Sequence, residues 1–250
     1  MMGWGARRKF LYTAVGGFFL FILVAVVWVT FFTRTPTCND GIQNGSERGV
    51  DCGGACALIC QEEAKTPLIL WTRSFENGPK NYTAVAYVQN PNPGAGARSV
   101  SYSFQLLDED NILVVERVGT IDLPPVITIP IIETNVDVGN REVARTLFSF
   151  SEVPVWNRIP ANKFPSFRVS AQELSDDGSR LSLRVSNDSY EASGRLVVTA
   201  VLFDSTNTAR AASQSILQNV AQRSGEDGVF TWPGGVPDIV RAEITVLPSF

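Results

Sequence analysis

The residues best equipped for chemistry in this 250-residue chain are its four cysteines, Cys38, Cys52, Cys56 and Cys60, all within CNDGIQNGSERGVDCGGACALIC. Cysteines at such density serve a metal centre, a redox centre or a covalent staple. Their spacing, C-x13-C-x3-C-x3-C, lacks the paired short hooks of a zinc site. It also lacks the C-x-x-C beside a βαβ pattern that a thioredoxin-like centre needs. Two disulfides in an oxidising compartment remain, with three possible pairings among which the sequence does not choose. Calcium is the rival chemistry for the polar residues in between. Asp40, Asn44, Glu47 and Asp51 offer hard oxygen ligands, and the interleaved glycines let carbonyls turn inward. Their spacing does not match the EF-hand loop, and a tight stapled loop uses the same residue types for its turns. The reading adopted is a staple without a cofactor, with calcium as the alternative.

Little else in the chain has catalytic form. There is no histidine, which removes Ser-His-Asp and Cys-His nucleophilic systems and histidine-based metal sites. The carboxylate pairs Asp108/Asp110, Asp176/Asp177 and Glu226/Asp227 fall in predicted turns, where such residues set geometry and solvation. We therefore expect no enzymatic activity. An envelope enzyme built on one carboxylate pair is the rival from another class. Setting aside the four basic residues of the first 36 leaves 17 Lys+Arg against 25 Asp+Glu, a net of −8. That balance lacks the basic footprint of a nucleic-acid-binding protein.

The compartment is set by the segment that positions this loop. Residues 10–32, FLYTAVGGFFLFILVAVVWVTFF, carry no charge and are long enough as a helix to cross a hydrocarbon core of about 30 Å. The run exceeds the apolar region of a cleaved signal and ends without small residues at a cut site, so we read an uncleaved signal anchor. Arg7, Arg8 and Lys9 precede it and Arg34 alone follows, which keeps residues 1–9 in the cytoplasm and the rest outside the cell membrane. With the loop outside, C-x-D-G-x-x-N-G-x-E-x-x-x-D-C-G-G-x-C-x-x-x-C resembles a short cysteine-rich motif of bacterial extracellular and surface proteins. That resemblance implies a disulfide-bonded knot, here residues 37–62, with no enzymatic role.

Beyond Gln61 the pattern changes to short alternating runs broken by Asn, Pro, Gly and Asp, an all-β signature. Val100, Tyr102, Phe104 and Leu106 face one way, and Ser99, Ser101, Ser103 and Gln105 the other, the period of a half-buried strand. The segment also repeats. Val88, Asn90, Val100 and Val143 find counterparts 97 positions later in Val185, Asn187, Val197 and Val240. Leu106 and Asp108 match Leu202 and Asp204 at 96, which predicts one residue gained or lost within the intervening strand. Hairpins turning through Glu76-Asn-Gly-Pro and Asp176-Asp-Gly-Ser open the two copies. About seven short strands per copy predict two tandem immunoglobulin-like β-sandwiches, residues 66–150 and 164–250, standing as separate beads on a stalk. The proline-rich stretch 151–163 reads as the linker between them. Trp71 and Trp232 are expected in cores, and Trp156 as an interdomain or partner contact.

The strand-to-turn segment Phe104-Gln-Leu106-Leu107-Asp108 resembles the motif of the FxLYD domains of bacterial extracytoplasmic proteins, with Leu107 where that family has Tyr. The second copy keeps Leu202-Phe203-Asp204 but has Ala200 in place of the leading Phe. The resemblance implies a sandwich fold and a surface location, with Phe and Leu in the core and Asp in the turn. Together these readings predict a single-pass envelope protein that binds or scaffolds a surface partner. A glycan- or small-ligand-binding receptor is the alternative.

Overall fold

The computed structural model describes residues 4–32, 36–125, 127–160 and 166–248. Arg34 of the orientation argument and the far end of the expected linker lie outside the described residues, as do the first and last positions of the second module. The chain divides into two compact units, Met1–Cys56 and Ala57–Phe250.

The first unit opens with α1 (Trp4–Phe32), which begins six residues before the uncharged run and carries Arg7, Arg8 and Lys9 in its first turns. Its two threonine hydroxyls are satisfied within the helix, Thr13 Oγ1 donating to Lys9 O at 3.0 Å and Thr30 Oγ1 to Val26 O at 2.8 Å. Its large apolar side chains among the described residues are exposed, Phe19 at 66% and Leu23 at 62%. A helix so apolar with so little protein against it is unstable in water and suited to hydrocarbon, where every backbone group must be paired internally. It is long and apolar enough to span a membrane, a character that an N-terminal signal sequence shares.

The second unit is all β. Its first half contains β1 (Leu68–Gly78), β2 (Asn81–Gln89), β3 (Ala95–Leu107), β4 (Leu113–Leu123), β5 (Thr128–Asp137), β6 (Arg145–Phe150) and the two-residue β7 (Asn157–Arg158). The second half contains β8 (Phe167–Leu174), β9 (Arg180–Asn187), β10 (Arg195–Asp204), β11 (Ala209–Gln218), β12 (Gly225–Thr231) and β13 (Ile239–Pro248). Sheets β1-β2-β5 and β4-β3-β6 form one immunoglobulin-like sandwich. Sheets β8-β9-β12 and β11-β10-β13 repeat the same order in the other. Every ladder is antiparallel. The repeat seen in the sequence is therefore a repeat of topology: six strands recur in each sandwich, and the first adds the two-residue β7 against β3.

Packing shifts the register of that repeat in one place. Val88 and Val185 are both fully buried in their respective cores, as a 97-residue spacing requires. In the next strand the core-facing sets are Val100, Tyr102, Phe104 and Leu106 on β3 and Leu196, Val198, Ala200 and Leu202 on β10, all 96 apart. The first copy's extra residue therefore lies before Val100, where β3 bulges against β4 between Ala97 and Val100 and Ser99 takes φ 50°. Val197 faces away from its own core, and the counterpart of Val143 is Ile239, because Val240 is 66% exposed. The first hairpin also differs from expectation. β1 runs on through Glu76 and Asn77, and the chain reverses at Pro79-Lys80, with Lys80 at φ 64°.

The two sandwiches are not separate beads. Val85, Tyr87 and Ile132 on the outer face of the first pack against Val201, Phe203, Ala209 and Ala212 on the outer face of the second, with Trp71 and Phe75 alongside. The cluster is built from cross-strand neighbours: Val85 opposite Ile132, Val201 opposite Ala212, Phe203 opposite Ala209, and Trp71 opposite Tyr87. Both faces of β2 and β10 are consequently buried, which is why TAVAYV and LVVTAVLF read as continuous apolar runs rather than alternating ones. Alanines on β11 let the two sheets approach. Trp71 stacks on Tyr87 with ring centroids 4.5 Å apart, and Tyr87 Oη donates to Glu243 Oε1 at 3.1 Å across the join.

The stretch expected as a linker also folds back. Trp156, expected as an interdomain or partner contact, is 3% exposed and belongs to the core of the first sandwich. Its carbonyl accepts from Ile59 N at 2.9 Å, Arg158 N donates to Ala57 O at 2.7 Å, and β7 pairs with Ala95-Gly96 of β3. Residues 57–62, expected in the knot, are thereby held against the first sandwich, with Ile59 packed on its core.

Candidate functional site: a cysteine loop and a cleft between the sandwiches

All four cysteines are disulfide-bonded and none is free among the described residues. The bond joining Cys38 to Cys56 has a Cα–Cα distance of 5.6 Å. The sulfurs of this pair and a carboxylate oxygen of Glu47 lie within 4.8 Å of one another. That grouping would suit a soft metal only with thiolates, and sulfurs bonded to each other are not ligands.

The four residues of the calcium alternative are gathered into one network. Asp51 Oδ1 accepts from the N–H groups of Asp40 at 2.9 Å and Gly41 at 3.1 Å. Asp40 Oδ2 accepts from Asn44 Nδ2 at 2.9 Å, and Glu47 Oε2 from Asn44 N at 3.2 Å and Asp51 N at 3.3 Å. The Asn44 amide, together with the N–H groups of Ile42 and Thr37, holds the Asp40 carboxyl below its ordinary range. These oxygens turn toward protein hydrogens, the arrangement of a loop tied by its own acidic residues. Gly54 allows it. With φ at +56°, a Cβ there would stand 1.7 Å from Ser46 O.

The strand-to-turn motif is structural in both copies. Phe104 and Leu106 are fully buried in the first core. Leu202 is buried in the second, while Phe203 sits in the contact between sandwiches with the Arg241 guanidinium 4.2 Å from its ring centroid. Asp108 Oδ1 accepts from Asp110 N at 3.1 Å and Ile112 N at 2.9 Å, and Asn111 follows at φ 60°. Asp204 repeats this with Thr206 N at 2.9 Å and Thr208 N at 3.0 Å, and with Asn207 at φ 59°. The Ile112 N–H and the Arg141 guanidinium lower the Asp108 pKa, and the Thr206 hydroxyl and Thr208 N–H lower that of Asp204. Of the other carboxylate pairs, Asp177 accepts from the Ser175 hydroxyl and Ser179 N in the second hairpin, and Asp227 pairs with Arg184 at 2.8 Å.

The feature that sequence reasoning missed is a cleft of about 540 Å³ where the sandwiches meet. Strand β1 and the start of β6 form one wall, and β11 and the loop 232–237 form the other. Arg73, Arg145 and Arg210 line it, and Glu76 is the only carboxylate among its lining residues. Arg73 Nη1 reaches Ala209 O at 3.4 Å, and Arg210 Nε stands 3.9 Å from Asp204 Oδ2. Trp232, 1% exposed in the second core, also borders the cleft, and its Nε1 finds no acceptor among the described residues. The sequence signal was available in the non-alternating strands β2 and β10. A strand buried on both faces demands a second layer, and a second layer creates a seam.

The architecture defines a tandem immunoglobulin-like β-sandwich protein with an N-terminal apolar helix and a disulfide-tied loop. No family model and no curated protein matches the chain. Among solved structures, red sea bream transglutaminase aligns with 72% of this chain at 10% identity and a TM-score of 0.24, and the chain spans 29% of that protein's length. The calcium-binding domain CBD12 of CALX1.1 aligns with 72% of this chain and 80% of its own, at 13% identity and a TM-score of 0.21.

Proposed function

We propose that this chain is a membrane-anchored, extracytoplasmic binding or scaffolding protein of the bacterial cell envelope that acts without catalysis, with two FxLYD-like modules as its working part. The observation that carries the reading is the apolar seam of Val85, Tyr87, Ile132, Val201 and Phe203, which fuses two sandwiches into one body. A stalk that only supplied reach would not need its beads locked, whereas a platform that presents a composite surface does. An apolar helix of membrane length at the N-terminus supports tethering, and a loop with every cysteine oxidised supports an outside location. The repeated Asx turns at Asp108 and Asp204 support the family resemblance.

The test is cross-linking on intact cells carrying tagged full-length protein, with a chain lacking residues 66–250 as control. Capture of a specific envelope protein that requires the sandwiches is the expected result. Turnover of an envelope substrate by the purified protein, abolished by changing one carboxylate pair, would overturn the non-catalytic part.

A further inference from the structure

We propose that the cleft between the two sandwiches is a binding site for a phosphate- or carboxylate-bearing ligand about the size of a sugar phosphate. It goes beyond the scaffold reading and survives that reading's failure, because every residue involved belongs to residues 57–250 and none to the anchor.

Three arginines line one concavity. Arg73 comes from β1, Arg145 from the start of β6 and Arg210 from β11, so two sandwiches contribute to a single positive site. Glu76, the only carboxylate among the described lining residues, forms no ion pair with any of them; Arg210 Nε has Asp204 Oδ2 at 3.9 Å outside the cleft, and the Arg145 guanidinium has no hydrogen-bonding or ionic partner among the described residues. This happens in a chain whose formal net charge is −4, so the positive charge is local rather than general. Guanidinium is the side chain best shaped for paired hydrogen bonds to carboxylate or phosphate oxygens. A volume of about 540 Å³ lies in the range of small-ligand pockets, roughly 300–1,000 Å³. The seam supports Arg73. The Arg73 guanidinium carbon lies 6.0 Å from the ring centroid of Trp71, which is itself stacked on Tyr87 in the apolar contact, so that wall rests on packed aromatic rings.

The chemistry could come from a free sugar phosphate or sugar acid, or from an anionic envelope polymer carrying the same groups. Titration of the full-length protein in detergent at constant ionic strength separates them. The probes are glucose 1-phosphate, glucuronate, neutral glucose and poly(glycerol phosphate). An anionic monosaccharide is expected to raise Tm and to bind with a measurable Kd where glucose does neither. The double variant Arg145→Gln/Arg210→Gln should weaken that binding roughly tenfold or more, and Arg168→Gln, on β8 and outside the cleft, should leave it unchanged. Both replaced arginines are exposed, and the unliganded Tm checks that the variant folds. Poly(glycerol phosphate) binding far more tightly than the monomer, and depending on the same two arginines, would assign the polymer as the source. Comparable affinities would assign the free monosaccharide. If no anionic probe binds, or if the double variant binds as well as the parent, the proposal is wrong.

Discussion

Asn90 and Asn187, 97 residues apart, perform one task in the two sandwiches. Each is almost wholly buried, at 2% and 1% exposure, and each side-chain amide bridges two loop carbonyls. Asn90 Nδ2 donates to Ala95 O at 2.8 Å and Pro124 O at 2.7 Å. Asn187 Nδ2 donates to Glu191 O at 2.8 Å and Val220 O at 3.1 Å. The side-chain oxygen of each accepts from the backbone N–H two residues on, Asn92 in one case and Ser189 in the other. Replacing Asn90 by Ala removes a donor from two buried carbonyls, and we expect a loss of about 2–3 kcal/mol in equilibrium chemical unfolding. Asn187→Ala should cost less, because the Ser189 hydroxyl and the Ser193 N–H also donate to the Glu191 and Val220 carbonyls. Asn90→Asp should cost more than Asn90→Ala, since a carboxylate there faces two carbonyl oxygens.

The apolar seam predicts that the sandwiches unfold together. Calorimetry should show one transition for both in the parent protein. Phe203→Ala removes most of a side chain that is 6% exposed and should cost roughly 3–5 kcal/mol. Val201→Asp, which places a charge in the seam, should split the melt into two transitions. Two transitions in the parent would contradict the packing described here.

Acid should loosen the turns in a defined window. The Ser175 hydroxyl, then the Ser179 N–H, lower the Asp177 pKa from 3.8 to about 2. Asp108 and Asp204 move in the same direction. A depressed carboxylate pKa means that the folded state favours the charged form. Its contribution is therefore full above the unfolded value and disappears as pH falls through the folded one. Stability should drop between about pH 4 and pH 2, and Asp177→Asn, which keeps an acceptor but cannot titrate, should flatten part of that limb. Denaturant midpoints measured across this range provide the check.

In the cysteine loop, Gly54→Ala should prevent native closure, because its Cβ would overlap Ser46 O. Thiol labelling without reductant should find no reactive cysteine in the parent and at least one in the variant. Opening Cys38–Cys56, with a sequence separation of 18, removes a cross-link worth about 3 kcal/mol in the loop-entropy account.

Most of the fold was legible in sequence where one face of a strand meets water. SVSYSFQL alternates, and β3 is buried on one side as that alternation requires. The repeat was legible because core positions and turn aspartates recur at nearly constant spacing. The seam was not legible in a repeat that predicted two separate sandwiches; TAVAYV and LVVTAVLF are apolar without alternation because both their faces are covered. Trp156 was misplaced for a related reason. Prolines at 154 and 160 resemble a free linker, yet a large aromatic ring between them can anchor that stretch to a core. The cleft combines residues from positions 72 to 237, and no local pattern announces such a meeting.

The seam also has a polarity with consequences for assembly. The first sandwich offers sheet β1-β2-β5, and the second offers the non-equivalent sheet β11-β10-β13. A head-to-tail contact of this kind does not close on itself, and repeated copies would extend it into a filament. The sequence blocks that extension at the matching positions. Ser182 and Arg184 stand where Val85 and Tyr87 have their counterparts, and Ser101, Ser103 and Gln105 correspond to Val197, Thr199 and Val201. Each copy is thus greasy on one sheet and wet on the other, in opposite senses, as terminal caps of a solenoid are.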